Sequence, residues 1–436
     1  MSAQVVPVVD KDQREFLAEL ARKKSDDLND VLLTTAAITD KVRCDGDSAV
    51  AEFTLKFDKV KLSPENFRVS AKEVEKAAAS VPSELADALR AAYVRITDYH
   101  RKQISNSWFS TGDDGEILGQ RITPVANAAI YAPGGKVAYP SSVLMGVAAA
   151  RTAGVERIVL LTPVGREGTL NPAVLFCARL AGVDEIYRIG GAQAIAAAAY
   201  GTETIAPVDV IAGPGNIYVT AAKKLVFGTV NIDMLAGPSE ILVLADSSAN
   251  PAWVAADMLS QAEHDERAGS VLVTVSRELA DAVQLELNEQ LAKLPKKELA
   301  QKSLRDFGVI LIAESMDEAL DLAALFAPEH MELLVEDPWG LLGRVRNAGA
   351  VFMGHYTPEP VGDYWAGPNH VLPTGGSARS FSPLGVHVFL KRTSIISFNR
   401  AAYNKASGPV AVMARAEGLE AHARSMEIRN RDNKQG

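Results

Sequence analysis

Gln261 and His264 stand three residues apart in LSQAEHDERAGS, near the end of a helical stretch that begins around Pro251. That spacing puts both side chains on one face, about one turn apart, where a single cation can meet both. The other polar candidates, Glu329, His330, Asp363, His370 and His422, lie far downstream. The chain has only seven histidines in 436 residues, and four of them fall in or beside compact polar motifs. Amide, imidazole and carboxylate donors form a mixed N/O set suited to Zn2+ or Mn2+. The pattern reads as an enzyme that assembles one divalent-metal site from distant segments. Taken alone, the Gln261–His264 pair describes a solvated helix end equally well, and Glu263 reads as surface or as support for the ligands.

Pro328-Glu329-His330 precedes the apolar run MELLV, which places the Glu and His between a helix and a strand. Histidine titrates near neutrality and can take a proton from an alcohol, while a nearby carboxylate can activate water for a second step. As an isolated dipeptide the pair is unremarkable, and adjacent residues need not face the same way. HYTPEPVGDYWAGPNHVLPTGG, from His355 to Gly376, is a long Gly- and Pro-rich connection with Asp363 and His370 embedded in it. Such loops frame ligands. Asp363 supplies a hard oxygen ligand and His370 a substrate contact; the blander readings are a turn cap and a packing histidine. His355 and His387 read as structural, and His100 as a surface or helix-end histidine.

The elements that must carry these residues follow from periodicity. The first hundred residues are mainly helical: Ser70 with Glu73 forms a capping box for a helix through Ala79, and Pro82-Ser83 opens another. From Val125, short apolar runs (125–131, 158–162, 185–189, 208–212) alternate with Ala-rich helical stretches. A second series, ILVLAD, SVLVTV, VILIAE, MELLVE and AVFMG, begins at Glu240. This rhythm predicts an α/β fold of two Rossmann-like domains with mainly parallel sheets, plus helical N-terminal and C-terminal extensions. VHVFLKRTSIISF reads as an edge strand, and the tail beyond Phe398 as separate helices with a break at Ser407-Gly408-Pro409.

No GxGxxG opens either series. Instead Tyr131-Ala132-Pro133-Gly134-Gly135, Gly190-Gly191-Ala192-Gln193 and Ala212-Gly213-Pro214-Gly215-Asn216 each end or follow a strand. At carboxyl ends of parallel strands, such loops hold a nucleotide or phosphorylated ligand, with Gln193 and Asn216 as donors. Tight turns alone would look similar. Ser239, in Gly237-Pro238-Ser239-Glu240 between the two series, suits a substrate hydrogen bond; no G-x-S-x-G elbow makes it a nucleophile.

Hydrophobic residues make up 47% of the chain and charged ones 23%, as in an ordinary globular protein. A net charge of -9 opposes nucleic-acid or anionic-membrane partners and favours a small-molecule substrate. Cys44 and Cys177 are too few for a disulfide framework, and no stretch approaches a membrane span, so a cytoplasmic location is expected.

In this order, YAPGG, IGGAQAIAA, AGPGN, AGPSE, SQAEHD, APEH, VGDYWAGPNHVLPTGG and AEGLEAHARS resemble the bacterial histidinol dehydrogenase family over nearly the whole chain. The resemblance implies oxidation of L-histidinol through L-histidinal to L-histidine with two NAD+ and one Zn2+ per subunit. It further implies Gln261, His264, Asp363 and His422 as zinc ligands that also meet the substrate, His330 as base and Glu329 as activator of water. Ser239, His370 and Glu417 would contact substrate, and Tyr131, Gln193 and Asn216 would bind NAD+. The implied plan has an N-terminal arm (1–20), a discontinuous catalytic α/β domain (21–130 and 239–384), an inserted NAD-binding domain (131–238), and a helical dimerisation tail (385–436). The tail would reach across a homodimer to make composite sites. A related zinc and NAD dehydrogenase of a sulfonated diol is disfavoured by Glu417, which would repel a sulfonate. A metal-dependent hydrolase leaves the glycine-rich loops unused, and a binding protein leaves Glu329 and His330 without a role.

Overall fold

The computed structural model describes residues 5–25, 27–134, 138–165 and 167–430. Gly135 of the YAPGG loop, and residues 1–4 and 431–436 of the two expected extensions, lie outside the described residues. The chain divides into two compact units, residues 1–103 with 125–389 and residues 104–124 with 390–436.

The first unit opens with β1 (Val8–Val9) and the helices α1 (Gln13–Ser25), α2 (Asp27–Asp58), α3 (Ala71–Ala79) and α4 (Ser83–Arg101). Ser70 caps α3 by accepting the Glu73 N–H at 3.2 Å, the first half of the expected capping box, while the Glu73 carboxylate accepts from Arg188 at 2.6 Å. In the second unit, β2 (Trp108–Thr111) and β3 (Ile117–Pro124) form a hairpin.

Back in the first unit, β4 (Asn127–Tyr131), β5 (Arg157–Leu161), β6 (Glu185–Tyr187), β7 (Val210–Ala212) and β8 (Asn231–Ile232) make a parallel sheet of order β6-β5-β4-β7-β8. Between them run α5 (Pro140–Ala153), α6 (Pro172–Ala181), α7 (Gly191–Tyr200) and α8 (Ile217–Val226). The strands read as unbroken apolar runs because helices cover both faces. On one face α4 packs on α5 and α3 on α6; on the other α2 lies across α7 and α8.

The second series gives β9 (Glu240–Ala245), α9 (Pro251–Ala262), β10 (Gly269–Thr274), α10 (Arg277–Leu291), α11 (Lys297–Phe307), β11 (Gly308–Ile312), α12 (Met316–Phe326), β12 (His330–Leu334), α13 (Pro338–Leu342) and β13 (Ala350–Met353). These strands form a parallel sheet of order β1-β11-β10-β9-β12-β13, so the arm contributes an edge strand. A short turn, α14 (Glu359–Val361), leads into a π-helical turn at Gly362–Ala366.

The second unit is completed by β14 (Leu390–Ser397), α15 (Arg400–Ala416) and α16 (Glu420–Ile428). β14 is an edge strand as expected, but of a third, antiparallel sheet of order β14-β3-β2. The expected break at Ser407-Gly408-Pro409 is not found. α15 runs through Pro409, and the helices separate instead at Glu417 and Gly418, whose φ is 76°. An internal proline removes a hydrogen bond and crowds the preceding turn, and the burial of Ala411 and Ala414 with Ala423 of α16 favours the continuous helix against that cost.

At the AGPGN loop, Gly213 has φ 116°, and a Cβ there would come within 2.1 Å of the Tyr131 carbonyl oxygen. Asp233 accepts the Gly213 N–H at 2.7 Å, and Lys223 donates to the Gly213 carbonyl at 3.1 Å. Lys223 and Asp233 also pair with each other, and their side chains are only 3% and 0% exposed. Removing one member leaves the other buried and uncompensated. Lys223→Met is expected to cost about 3–5 kcal/mol in equilibrium denaturation; a loss under about 1 kcal/mol would show that the pair does not hold the loop.

Candidate active site

β9 and β12 are neighbours, with His330 opposite Ile241. At their amino edge, His330 Nδ1 lies 2.9 Å from the Glu240 carbonyl oxygen. A carbonyl only accepts, so Nδ1 carries the proton and Nε2 is left with its lone pair. That Nε2 is buried without a hydrogen-bond partner and faces Glu359 Oε1 at 3.8 Å and Asp363 Oδ1 at 4.0 Å. Burial lowers the His330 pKa against the opposing pull of Asp363, which keeps the ring neutral at neutral pH with Nε2 unprotonated.

The Glu240 N–H donates to Glu329 Oε2 at 2.9 Å. Burial, and then the neighbouring carboxylates, push the Glu329 carboxyl well above its ordinary range. The chain enters this pair through Ala327, a non-glycine residue at φ 53° and ψ 64°. Backbone strain of this kind collects where a site fixes the geometry.

Asp363 lies in the π-helical turn, 3.9 Å from His370 Nδ1, and its own carbonyl oxygen is 3.2 Å from the same nitrogen. The other His370 nitrogen meets Ser142 Oγ at 3.3 Å. His264 follows the end of α9; burial lowers its pKa while the Asp363 charge raises it, which ties His264 to the same cluster. Burial, and then the charges of Asp265 and Asp363, push the Tyr139 phenol up. The β4–α5 connection therefore reaches the cluster through Tyr139 and Ser142. A cavity of about 120 Å3 lined by His330, Phe352, Asp363, Asn369 and His370 opens beside it.

Gln261 is fully buried in the last turn of α9, and neither heteroatom of its side chain has a hydrogen-bond partner among the described residues. A dry, unsatisfied amide is costly unless a ligand completes it. Two donor sets share Asp363. The His330, Glu359 and Asp363 donor atoms lie within 4.8 Å of one another; the alternative set joins Asp363 to Gln261 and His264. The second explains the orphaned amide and leaves His330 Nε2 free to take a proton.

At the five-stranded sheet all three glycine-rich loops follow carboxyl ends, and β4 and β7 flank the point where the strand order reverses. Tyr131 is buried and its hydroxyl accepts the Gly191 N–H at 3.2 Å. Gln193, 1% exposed, has an unpartnered Oε1. Asn216 caps α8 by accepting from Tyr218 and Val219 N–H, which leaves its amide NH2 as a donor. The close backbone approach at Gly213, the two helix N-termini and the orphaned Gln193 oxygen suit a dinucleotide.

Ser239 is half-buried immediately before Glu240. Glu417 and His422 belong to the second unit and are exposed there. His100 is corrected: it stands at a helix end but is fully buried, bonded to Gln103 at 2.9 Å and to Asn369 at 3.3 Å, and so pins the residue beside His370. Glu359, Tyr139, Ser142 and the Glu240 main chain escaped the sequence reading. Of these only Glu359 carried a signal, a carboxylate between two prolines in a loop already singled out.

Two parallel sheets, one with dinucleotide-type loops and the other with a histidine–carboxylate cluster that could hold a metal ion, define an α/β dehydrogenase-type site. The family model for histidinol dehydrogenase matches residues 21–430. The histidinol dehydrogenase of Moorella thermoacetica is 56% identical over 388 residues, covering 89% of this chain and 92% of that protein. The Bacillus subtilis histidinol dehydrogenase is 53% identical over 399 residues, covering 91% and 93%. The crystal structure of histidinol dehydrogenase from Elizabethkingia anophelis, 35% identical, covers both chains fully with a TM-score of 0.93. The chain belongs to the histidinol dehydrogenase family.

Glu329 keeps its proton in the folded, metal-free chain at pH values where the unfolded chain has lost it. Its burial therefore costs stability that grows as pH rises through the ordinary carboxyl range. Glu329→Gln keeps an acceptor for Glu240 and removes that cost. In thermal denaturation of the metal-free protein the variant should melt above wild type near about pH 8, and the gap should close by about pH 4. A lower midpoint for the variant at the higher pH would contradict the account.

Proposed function

We propose that the chain catalyses the NAD-dependent, four-electron oxidation of L-histidinol through L-histidinal to L-histidine, with zinc orienting the substrate. The observation that carries this reading is His330: Nδ1 is locked to Glu240 while Nε2 is neutral, dry and unpartnered beside Asp363. Gln261, His264 and Asp363 would hold the zinc together with His422 of the partner subunit. When bound, NAD+ accepts a hydride in each oxidation, and zinc fixes the substrate and favours its neutral amine and imidazole.

His330 Nε2 takes the hydroxyl proton as the alcohol becomes an aldehyde. Glu329, whose ionised form a bound zinc would favour, then takes a proton from the water that adds to the aldehyde carbon, giving the hydrate that is oxidised in the second step. A carboxylate tuned upward by burial is a stronger base than an exposed one. Ser239, His370 and Glu417 of the partner subunit position the substrate, and Tyr131, Gln193 and Asn216 hold the dinucleotide. A cytoplasmic location agrees with Cys44 and Cys177 both being free and with the absence, among the described residues, of a helix able to cross a membrane.

Zinc-loaded protein given L-histidinol and NAD+ should produce NADH, lose activity on chelation and regain it with Zn2+. Glu329→Gln should still oxidise histidinol to the aldehyde level but stall from histidinal onward, by about a hundredfold or more. His330→Asn should be impaired in alcohol oxidation yet retain zinc. Equal loss in both half-reactions for both variants would refute the division of roles, and loss of zinc from His330→Asn would favour the ligand set with Glu359.

The composite, homodimeric site is supported by the exposure of Glu417 and His422 and of Trp108, Phe109 and Ile396 on the antiparallel sheet, 52%, 62% and 72% exposed. His330→Ala and His422→Ala chains, each inactive, should complement when unfolded and reassembled together. About half the dimers would be mixed with one intact site each, giving roughly a quarter of wild-type activity. No recovery despite demonstrated mixed dimers would place His422 in the site of its own chain.

A further inference from the structure

Asp58 ends α2, on the face of the five-stranded sheet covered by α7 and α8. Flanking residues fix where it lies. Phe53 and Leu62 pack in the same cluster as Tyr131 and Ile189, at the carboxyl ends of β4 and β6. Val60 packs against the cluster of the opposite face, and its side chain lies close to Gly168 of the β5–α6 loop. The chain turns over this edge through Lys59, a non-glycine residue at φ 62°, whose ammonium group folds back to the Lys56 carbonyl at 2.8 Å. Asp58 Oδ2 is buried and has no hydrogen-bond partner among the described residues. A cavity of about 260 Å3 opens along the same edge, between Gly134, Thr162, Pro163 and Asn171.

We infer that Asp58 accepts the hydroxyls of the adenosine ribose of the dinucleotide and thereby selects NAD+ over NADP+, an inference that rests on the functional reading above. The reacting end of the cofactor belongs near Tyr139 and Ser142, which lead to the histidine–carboxylate cluster on the α5 side. Asp58 lies on the α2 side of the same edge, where the distal half of the cofactor would fall. A carboxylate receives a vicinal diol through two hydrogen bonds and repels a 2′-phosphate. Burial pushes the Asp58 carboxyl up to about 6, a cost that two ribose donors would offset while leaving it charged at neutral pH. Lys59, just past the end of α2, takes the left-handed conformation with which many helices close, and the chain turns over the sheet edge there.

Equilibrium binding of NAD+, NADP+ and 2′-deoxy-NAD+ to the full-length, zinc-loaded chain, followed by calorimetry, reads this contact without turnover. Asp58→Asn should weaken NAD+ by about tenfold to a hundredfold, leave 2′-deoxy-NAD+ nearly unchanged, and bind NADP+ no more weakly than wild type does. An unchanged thermal midpoint would show that the fold is intact. If wild type binds NAD+ and Asp58→Asn binds it equally well, or loses NAD+ and 2′-deoxy-NAD+ alike, the inference is wrong. A wild-type chain that does not bind NAD+ at all would instead sink the functional reading on which it stands.

Discussion

The main chain of one residue organises the histidine–carboxylate cluster. The N–H of Glu240 holds Glu329, and its carbonyl holds His330. Both bonds exist because β9 and β12 pair in parallel, a register that leaves the first residue of β9 level with the residues entering β12. Adjacent residues entering a strand have no reason to serve one site, since successive side chains diverge. Anchoring both to the same neighbouring main chain removes that freedom. It also fixes the histidine tautomer, so the basic nitrogen points to the carboxylates rather than into the sheet. The strain at Ala327, of order 1–3 kcal/mol, is the local cost of delivering the pair there.

The second constraint is electrostatic. Burial pushes Glu359 up to about 9 and Asp257 to about 6, and raises Glu329 and Glu332 as well. Carboxyls gathered in a buried region resist ionisation because burial penalises each charge and the neighbouring carboxylates add to it. The buried Gln261 amide lacks partners in the same neighbourhood. A divalent ion answers both deficits, since it neutralises acid groups and accepts a neutral oxygen donor. A bound divalent ion would therefore couple metal affinity to local stability.

Much of this was legible in the sequence, for identifiable reasons. Apolar runs separated by Ala-rich helices marked both parallel sheets because strands buried on two faces leave no other pattern. The glycine-rich loops were visible because a backbone approach such as that of Gly213 to Tyr131 admits no side chain. What failed was non-local. His100 ends an amphipathic run, and only the return of Asn369, far along the chain, makes it a buried anchor. The antiparallel sheet was missed although Gly112-Asp113-Asp114-Gly115 is a turn signal, because its exposed strands lack the alternation that marks a half-buried sheet. Pro409 looked like a stop because local propensity ignores the small-residue packing that carries α15 through it.

The two sheets of the first unit use opposite edges. The five-stranded sheet presents carboxyl ends, where glycine turns and helix N-termini favour phosphates. The six-stranded sheet presents amino ends, where β9 and β12 offer a free-standing acid and base rather than an anion hole. Hydride transfer requires donor carbon and acceptor ring to come within a few ångström, so neither edge is a site by itself. The β4–α5 connection resolves this: it leaves the dinucleotide edge at Tyr131 and brings Tyr139 and Ser142 to Asp363 and His370. The helix that this connection enters, α5, also receives the Asn369 amide on its Met145 carbonyl at 3.0 Å, so one helix meets both His370 and its neighbour.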